Sequence, residues 1–227
     1  MAGPHRDLLS GLRDLLWPPS CAGCAALQDC RDRVLCRRCL AAVGAPLRVP
    51  APEGLASCWA ASEFREPAEA WILGFKYPRP GLLSLDPSPG LAVAALVRRA
   101  AAAAAGPAPD RVVPVPLHPL RLRRRGFNPA ASLAAEVARV RGGRLEPTRL
   151  VRTRDTPSQT GLDRRARRRN VHGAFAARGS VAGRVWLVDD VVTTGATLAA
   201  CGRALREAGA DEVAAVCAAW SPPQRRS

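Results

Sequence analysis

Residues 184–198 read RVWLVDDVVTTGATL, and few folds accommodate that order. A short apolar run, Val185 to Val188, ends in two adjacent carboxylates, Asp189 and Asp190, and a Thr/Gly/Ala segment then leads into a helix-periodic run. A fully apolar strand passing directly into a loop and helix is typical of a parallel α/β sheet covered on both faces, with ligands bound outside the carboxyl ends of its strands. Asp189 and Asp190 are expected at such an end. Thr193, Thr194, Gly195, Ala196 and Thr197 are small enough for main-chain N–H groups and hydroxyls to point inward where the next helix starts, and the helix dipole there favours an anion. A phosphate is the natural guest. Two carboxylates would repel that phosphate, so they are read as acceptors for neutral hydroxyls, such as those of a ribose, or as holders of a hydrated Mg²⁺. The bland alternative, a buried strand with a charged edge and an ordinary helix start, requires none of these residues at these spacings.

The same unbroken run resembles the phosphoribosyl-pyrophosphate (PRPP) signature of type I phosphoribosyltransferases: four apolar residues, two acids, two apolar residues, then TTGAT. At 227 residues and 24.0 kDa the chain has room for one α/β domain and a small satellite. Its 48% hydrophobic share is swollen by alanine and only 4% is aromatic, so the core must rest on Leu, Val and a few Trp and Phe. The formal charge of +15 and pI near 11.2 fit a polyanionic partner such as nucleic acid. Lys76 is the only lysine, however, and an arginine and alanine excess also fits coding bias. The longest apolar candidate, residues 91–105, is broken by Arg98 and Arg99, and the leucines of residues 8–16 recur at helical spacing among charges. The expectation is therefore a soluble, cytoplasmic chain with neither membrane span nor signal peptide.

Residues 7–17 predict an amphipathic helix stopped by Pro18 and Pro19, its leucine face packed on the next module. CAGC (Cys21, Cys24) and CRRC (Cys36, Cys39) follow, separated by eleven residues. Two pairs of this kind supply four thiolates for a tetrahedral Zn²⁺, whose excess negative charge Arg31, Arg33, Arg37 and Arg38 offset. Two disulfides or a redox CxxC are the competing readings, the first opposed by the lack of a secretory signal. Cys30 is taken as a spare, and Cys58, Cys201 and Cys217 as buried small hydrophobes. The proline-bearing residues 45–54 predict a linker, which divides the chain into a module at 1–48, an α/β domain at 55–220 and a disordered tail at 221–227.

Beyond the linker, residues 57–62 predict a strand and 66–77 a helix ending on Lys76, a solvated charge or an anion contact. Residues 82–90 are expected to be irregular, 91–105 helical, and 111–116 (RVVPVP) a strand running into a stiff loop. Arg121 and Arg125 are candidates for pyrophosphate or DNA, since guanidinium forks take phosphate oxygens in pairs. His118 has an acid or metal role as its sharp reading and a bland loop position as its ordinary one. Pro129 opens a helix to Arg141. Residues 153–175, which include Arg164, predict a mobile lid or a solvated basic helix, and 197–208 and 212–220 a final helix and strand.

Taken in order, the cysteine pairs, VPVPLHP, RRRGFN, TPSQTGLDRRARRRN and LVDDVVTTGAT resemble the ComF family over roughly residues 8–219. That resemblance implies an N-terminal zinc-binding segment joined to a type I phosphoribosyltransferase-like domain, with links to DNA uptake in natural transformation. It implies that Asp189 and Asp190 meet the ribose hydroxyls and that residues 193–197 hold the 5′-phosphate. Val115, Pro116, Leu117 and His118 resemble the pyrophosphate loop, and residues 156–169 the flexible loop, where Arg164 is a possible contact. Mg²⁺ would enter with PRPP. Single-stranded DNA or other DNA-uptake proteins are the implied partners, with turnover of PRPP in nucleotide salvage as the alternative. Pro129 stands where family members often carry glutamine, which removes a donor. Neither acceptor nor oligomeric state is legible.

Overall fold

The computed structural model describes residues 19–27, 34–78, 86–154 and 173–222. The expectations for the helix at 7–17, for Cys30, for Arg164 and the loop at 156–169, and for tail residues 223–227 lie outside the described residues. The strands are β1 (Leu47–Val49), β2 (Ser57–Glu63), β3 (Arg111–Pro114), β4 (Arg144–Leu145), β5 (Leu150–Arg152), β6 (Phe175–Ala177), β7 (Arg184–Val192) and β8 (Glu212–Trp220). The helices are α1 (Arg37–Val43), α2 (Ala68–Lys76), α3 (Ser88–Ala103), α4 (Pro119–Arg125), α5 (Pro129–Arg141) and α6 (Ala196–Glu207).

Six strands form one sheet in the order β1-β2-β8-β7-β3-β4, parallel throughout except for the antiparallel edge pair β1–β2, and β5 with β6 makes a separate antiparallel pair. β7 and β8 lie centrally and are apolar on both faces, as strands covered from both sides must be. Because successive strand residues face opposite ways, Trp186 and Val188 pack with Trp71, Leu96 and Leu133 of α2, α3 and α5, whereas Val185 and Leu187 pack with Leu198, Cys201 and Leu205 of α6. Alanine contributes heavily to both layers: Ala92, Ala100, Ala101 and Ala134 are fully buried on one side, and Ala60 and Ala215 on the other. Cys58, Cys201 and Cys217 are fully buried, as expected.

Several boundaries differ from the sequence expectation for identifiable reasons. β7 does not stop at Val188 but carries both acids inside it and continues to Val192, kept in register by β8. β3 ends at Pro114 and passes, as expected within residues 111–116, into a proline-stiffened loop whose Val115 N–H still reaches Val188 O at 2.9 Å. α3 begins at Ser88, within the stretch read as irregular, since a proline in the first turn forfeits no helical hydrogen bond. Residues 45–54 are more than a linker: they contain β1, which pairs with β2 from Leu47↔Ala60 to Val49↔Cys58. α4 was not anticipated; His118 caps it, Nδ1 accepting from Leu120 N–H at 3.3 Å. No helix among the described residues is long and apolar enough to cross a membrane.

Candidate phosphoribosyl site and cysteine centre

Where β3 and β7 run out, the chain leaves a cavity of about 530 Å³. Its floor is Asp189, Asp190 and Val191 of β7; one wall is the bend at Thr193–Gly195 with the first turn of α6; the opposite wall is Val115–Leu117 after β3. Lys76 and Tyr77 at the end of α2, Arg121 and Arg125 of α4, and Arg152 of β5 complete the lining. All the acid, threonine-loop and pyrophosphate-loop positions singled out from sequence therefore converge here except His118, which is absent from the lining and caps α4 instead.

Gly195 makes the bend. It sits at φ +73°, a left-handed conformation that a side chain would strain, and a Cβ there would lie 2.7 Å from Pro52 Cγ. Thr194 Oγ1 accepts from Ala196 N–H at 3.4 Å, and α6 then begins with its N-terminal end on the cavity. Helix geometry thus directs positive dipole at the volume, as a phosphate requires. On the opposite wall Asn128 ties the segment after β3 to α5: Nδ2 donates to Val115 O at 3.0 Å while Oδ1 caps Ala130 N–H at 3.2 Å. Pro129 occupies the first turn of α5 and has no donor to offer the cavity.

The two acids have different surroundings. Asp190 accepts from Lys76 Nζ at 2.8 Å in a largely shielded ion pair, so Lys76 lines the cavity already engaged with an acid rather than as a solvated charge. Asp189 faces the α6 side and accepts from Asp190 N–H at 2.9 Å. Burial, reinforced by the Asp190 charge and only partly opposed by Lys76, pushes its carboxyl up to about 7. Arg152, Asn128, Tyr77 and Phe64 were not singled out from sequence. Arg152 precedes a polar, basic run in which nothing marks one arginine from the next, and Asn128 was visible only as part of RGFN. Tyr77 carries the Arg125 guanidinium 4.8 Å from its ring centre, and Phe75 packs on Phe127 with centroids 5.4 Å apart, which fastens the α4–α5 junction to the end of α2.

The second centre lies at the other end of α2. The sulfurs of Cys21, Cys24, Cys36 and Cys39 all fall within 4.8 Å of one another, with Cys21–Cys39 and Cys24–Cys36 at 3.7 Å. Four sulfurs at the usual Zn–S length of about 2.3 Å stand roughly 3.8 Å apart at the corners of a tetrahedron, so the donor set fits that ion. All four are free thiols, not disulfides. Burial raises the Cys21 thiol, but amide hydrogen bonds from Cys36, Gly23 and Cys24 outweigh it and bring the pKa down to about 6. Cys39, buried beside the other three, is pushed up. Trp71 of α2 donates from Nε1 to Gly23 O at 3.0 Å, and a Cβ on Gly23 would fall 2.5 Å from its ring.

Residues 122–227, which hold the paired acids and the threonine-glycine helix start at the edge of the parallel sheet, match the family model described as "Phosphoribosyl transferase domain". The chain is also similar to two curated proteins, 41% identical over 110 residues to "DNA utilization protein YhgH" of Escherichia coli K12 and 37% identical over 109 residues to "Competence protein F" of Haemophilus influenzae Rd. The first alignment covers 48% of each chain, the second 46% of this one and 48% of the other, so the chain spans about half the length of the curated relatives it matches. Among solved structures, a glutamine PRPP amidotransferase from B. subtilis complexed with ADP and GMP aligns at 25% identity and TM-score 0.42, over 63% of this chain and 30% of that one.

Proposed function

We propose that the cavity binds a 5-phosphoribosyl ligand, PRPP or a relative of it, and that the protein serves in DNA uptake or related DNA handling. The observation that carries the first half is the meeting, on one cavity, of Asp189 and Asp190 with the left-handed Gly195 turn and the start of α6. In this reading the 5′-phosphate rests on residues 193–197, the ribose hydroxyls donate to the acids, and the diphosphate lies against Val115–Leu117 with Arg121 and Arg125. Four cations, Lys76, Arg121, Arg125 and Arg152, face two acids there, an excess suited to a polyanion. Mg²⁺ would accompany the diphosphate. The ion pair to Lys76 occupies Asp190, so the acid pair is a poor direct magnesium site. The second half rests on the names of the similar proteins and on the basic charge, with single-stranded DNA as the polyanion.

Transfer of the phosphoribosyl group is the second reading, favoured by the same convergence. It requires no protein nucleophile: the anomeric carbon loses pyrophosphate as an acceptor attacks, and the site's contribution is positioning and charge stabilisation. Calorimetry with Mg·PRPP, repeated on Asp189→Asn with Asp190→Asn, tests the pocket; heat in the parent that vanishes in the double variant is expected, and an absence of heat in the parent overturns it. Pyrophosphate release on adding nucleobases would favour the transferase.

The cysteine centre is proposed to hold one structural Zn²⁺. Cys21, Cys24, Cys36 and Cys39 would ligate it, and the ion supplies the fixed crosslink that a small module with little core of its own needs. A set of four reduced thiolates suits a reducing compartment, which supports a cytoplasmic location.

A further inference from the structure

Lys76 is the one lysine among 34 basic side chains, every other being arginine, and it stands against the acid pair. Its Nζ lies 2.8 Å from Asp190 Oδ1, with the lysine side chain 18% exposed and the aspartate 14%, so solvent screens this pair far less than a surface ion pair. Nor is the position casual. Lys76 is the last residue of α2, where the helix dipole favours a cation, and the far end of that helix is moored to the cysteine module through Trp71 and Gly23. A compact ammonium can be delivered to a single carboxylate oxygen, which a guanidinium fork built for bidentate contacts does less well. A divalent ion held directly by the same carboxylate would have to displace or adjoin this ammonium. Mg²⁺ in particular demands a near-ideal octahedron of oxygens at about 2.1 Å.

We infer that the Lys76 ammonium, rather than a divalent cation, is the standing counter-charge of the Asp189–Asp190 pair, so that this pocket recognises a sugar phosphate lacking a diphosphate without Mg²⁺. Lys76 is then a positioning residue: it holds Asp190 in place for ribose hydroxyls and lets the two acids coexist. The inference rests on the phosphoribosyl reading of the cavity, but its consequence for metal binding is independent of any sugar.

The probe is ribose 5-phosphate, titrated calorimetrically into the full chain in chelator and again in excess Mg²⁺. Dissociation constants agreeing within threefold are expected; tightening beyond threefold in Mg²⁺ overturns the inference while leaving the pocket reading intact. A second arm uses Mn²⁺ alone, its free concentration followed by electron paramagnetic resonance, on the parent, Lys76→Met and Lys76→Gln. The parent is expected to take up no ion at the acid pair, and a folded variant to gain one site, abolished by adding Asp190→Asn. An Asp190-dependent ion in the parent, or none gained in either folded variant, overturns the inference. If ribose 5-phosphate binds under neither condition the phosphoribosyl reading fails by itself, and the Mn²⁺ arm still decides the role of Lys76. Should neither variant fold, the two parent measurements decide it.

Discussion

The pair at Asp189 and Asp190 is where single side chains have the most measurable consequences. With its pKa raised from 3.8 to about 7, Asp189 keeps a proton in the folded chain that the unfolded chain releases, so stability falls as pH rises from about 3.8 to about 7. Asp189→Asn lacks that loss. Its denaturation midpoint, compared with the parent, should therefore gain ground between pH 5 and pH 7, by at most ~1.4 kcal/mol per pH unit; a constant gap would show that Asp189 ionises normally. Gly195 offers a second test. Alanine there meets both the positive φ and Pro52, so Gly195→Ala should cost about 1–2 kcal/mol and abolish ribose 5-phosphate binding in protein that still folds. At this scale the sequence was informative about what is local. The acids, threonines and glycine share one continuous stretch, and their chemistry is written in their spacing. Their partners were less legible: Lys76 stood out as a candidate anion contact but not as the partner of Asp190, and Pro52 and Arg152 come from remote segments that reach the site only through tertiary packing.

Among elements, α2 is the member that joins the two centres, with Trp71 against the cysteine loop and Lys76 on the acids. If one Zn²⁺ holds the loop, purified protein should carry close to one equivalent, and Cys24→Ser should lose it and melt at lower temperature. Less than half an equivalent in protein prepared without oxygen would count against the thiolate site. Trp71→Phe removes the indole donor and shrinks a buried ring, an expected loss of about 1–3 kcal/mol read by chemical denaturation with metal retained. Elements with a strong apolar period, such as α5 and β8, were legible to the residue at both ends. The errors fell where proline was given too simple a meaning. Residues 82–90 were expected to be irregular, yet Pro89 stands in the first turn of α3, where it forfeits no helical hydrogen bond. The linker reading of residues 45–54 missed β1 because three paired residues leave little pattern to detect.

For the molecule as a whole, the +15 charge sets how it should meet a polyanion. Binding of single-stranded DNA should weaken linearly on a logarithmic salt axis, each neutralised phosphate adding about −0.7 to the slope. Replacing both Arg121 and Arg125 by alanine should shallow that slope by about 1.4 if each holds one phosphate, and no affinity even in low salt would remove DNA as a direct ligand. The edge strand β1 carries one more consequence. It comes from the segment between the cysteine module and the rest of the chain, yet it is what covers the outer side of β2. A truncated protein begun after Val49, as if the α/β portion were separable, would bare the amides and carbonyls of β2 to solvent. Such an open border invites a second copy to dock strand against strand, so the shortened chain should precipitate or dimerise where the full one does not.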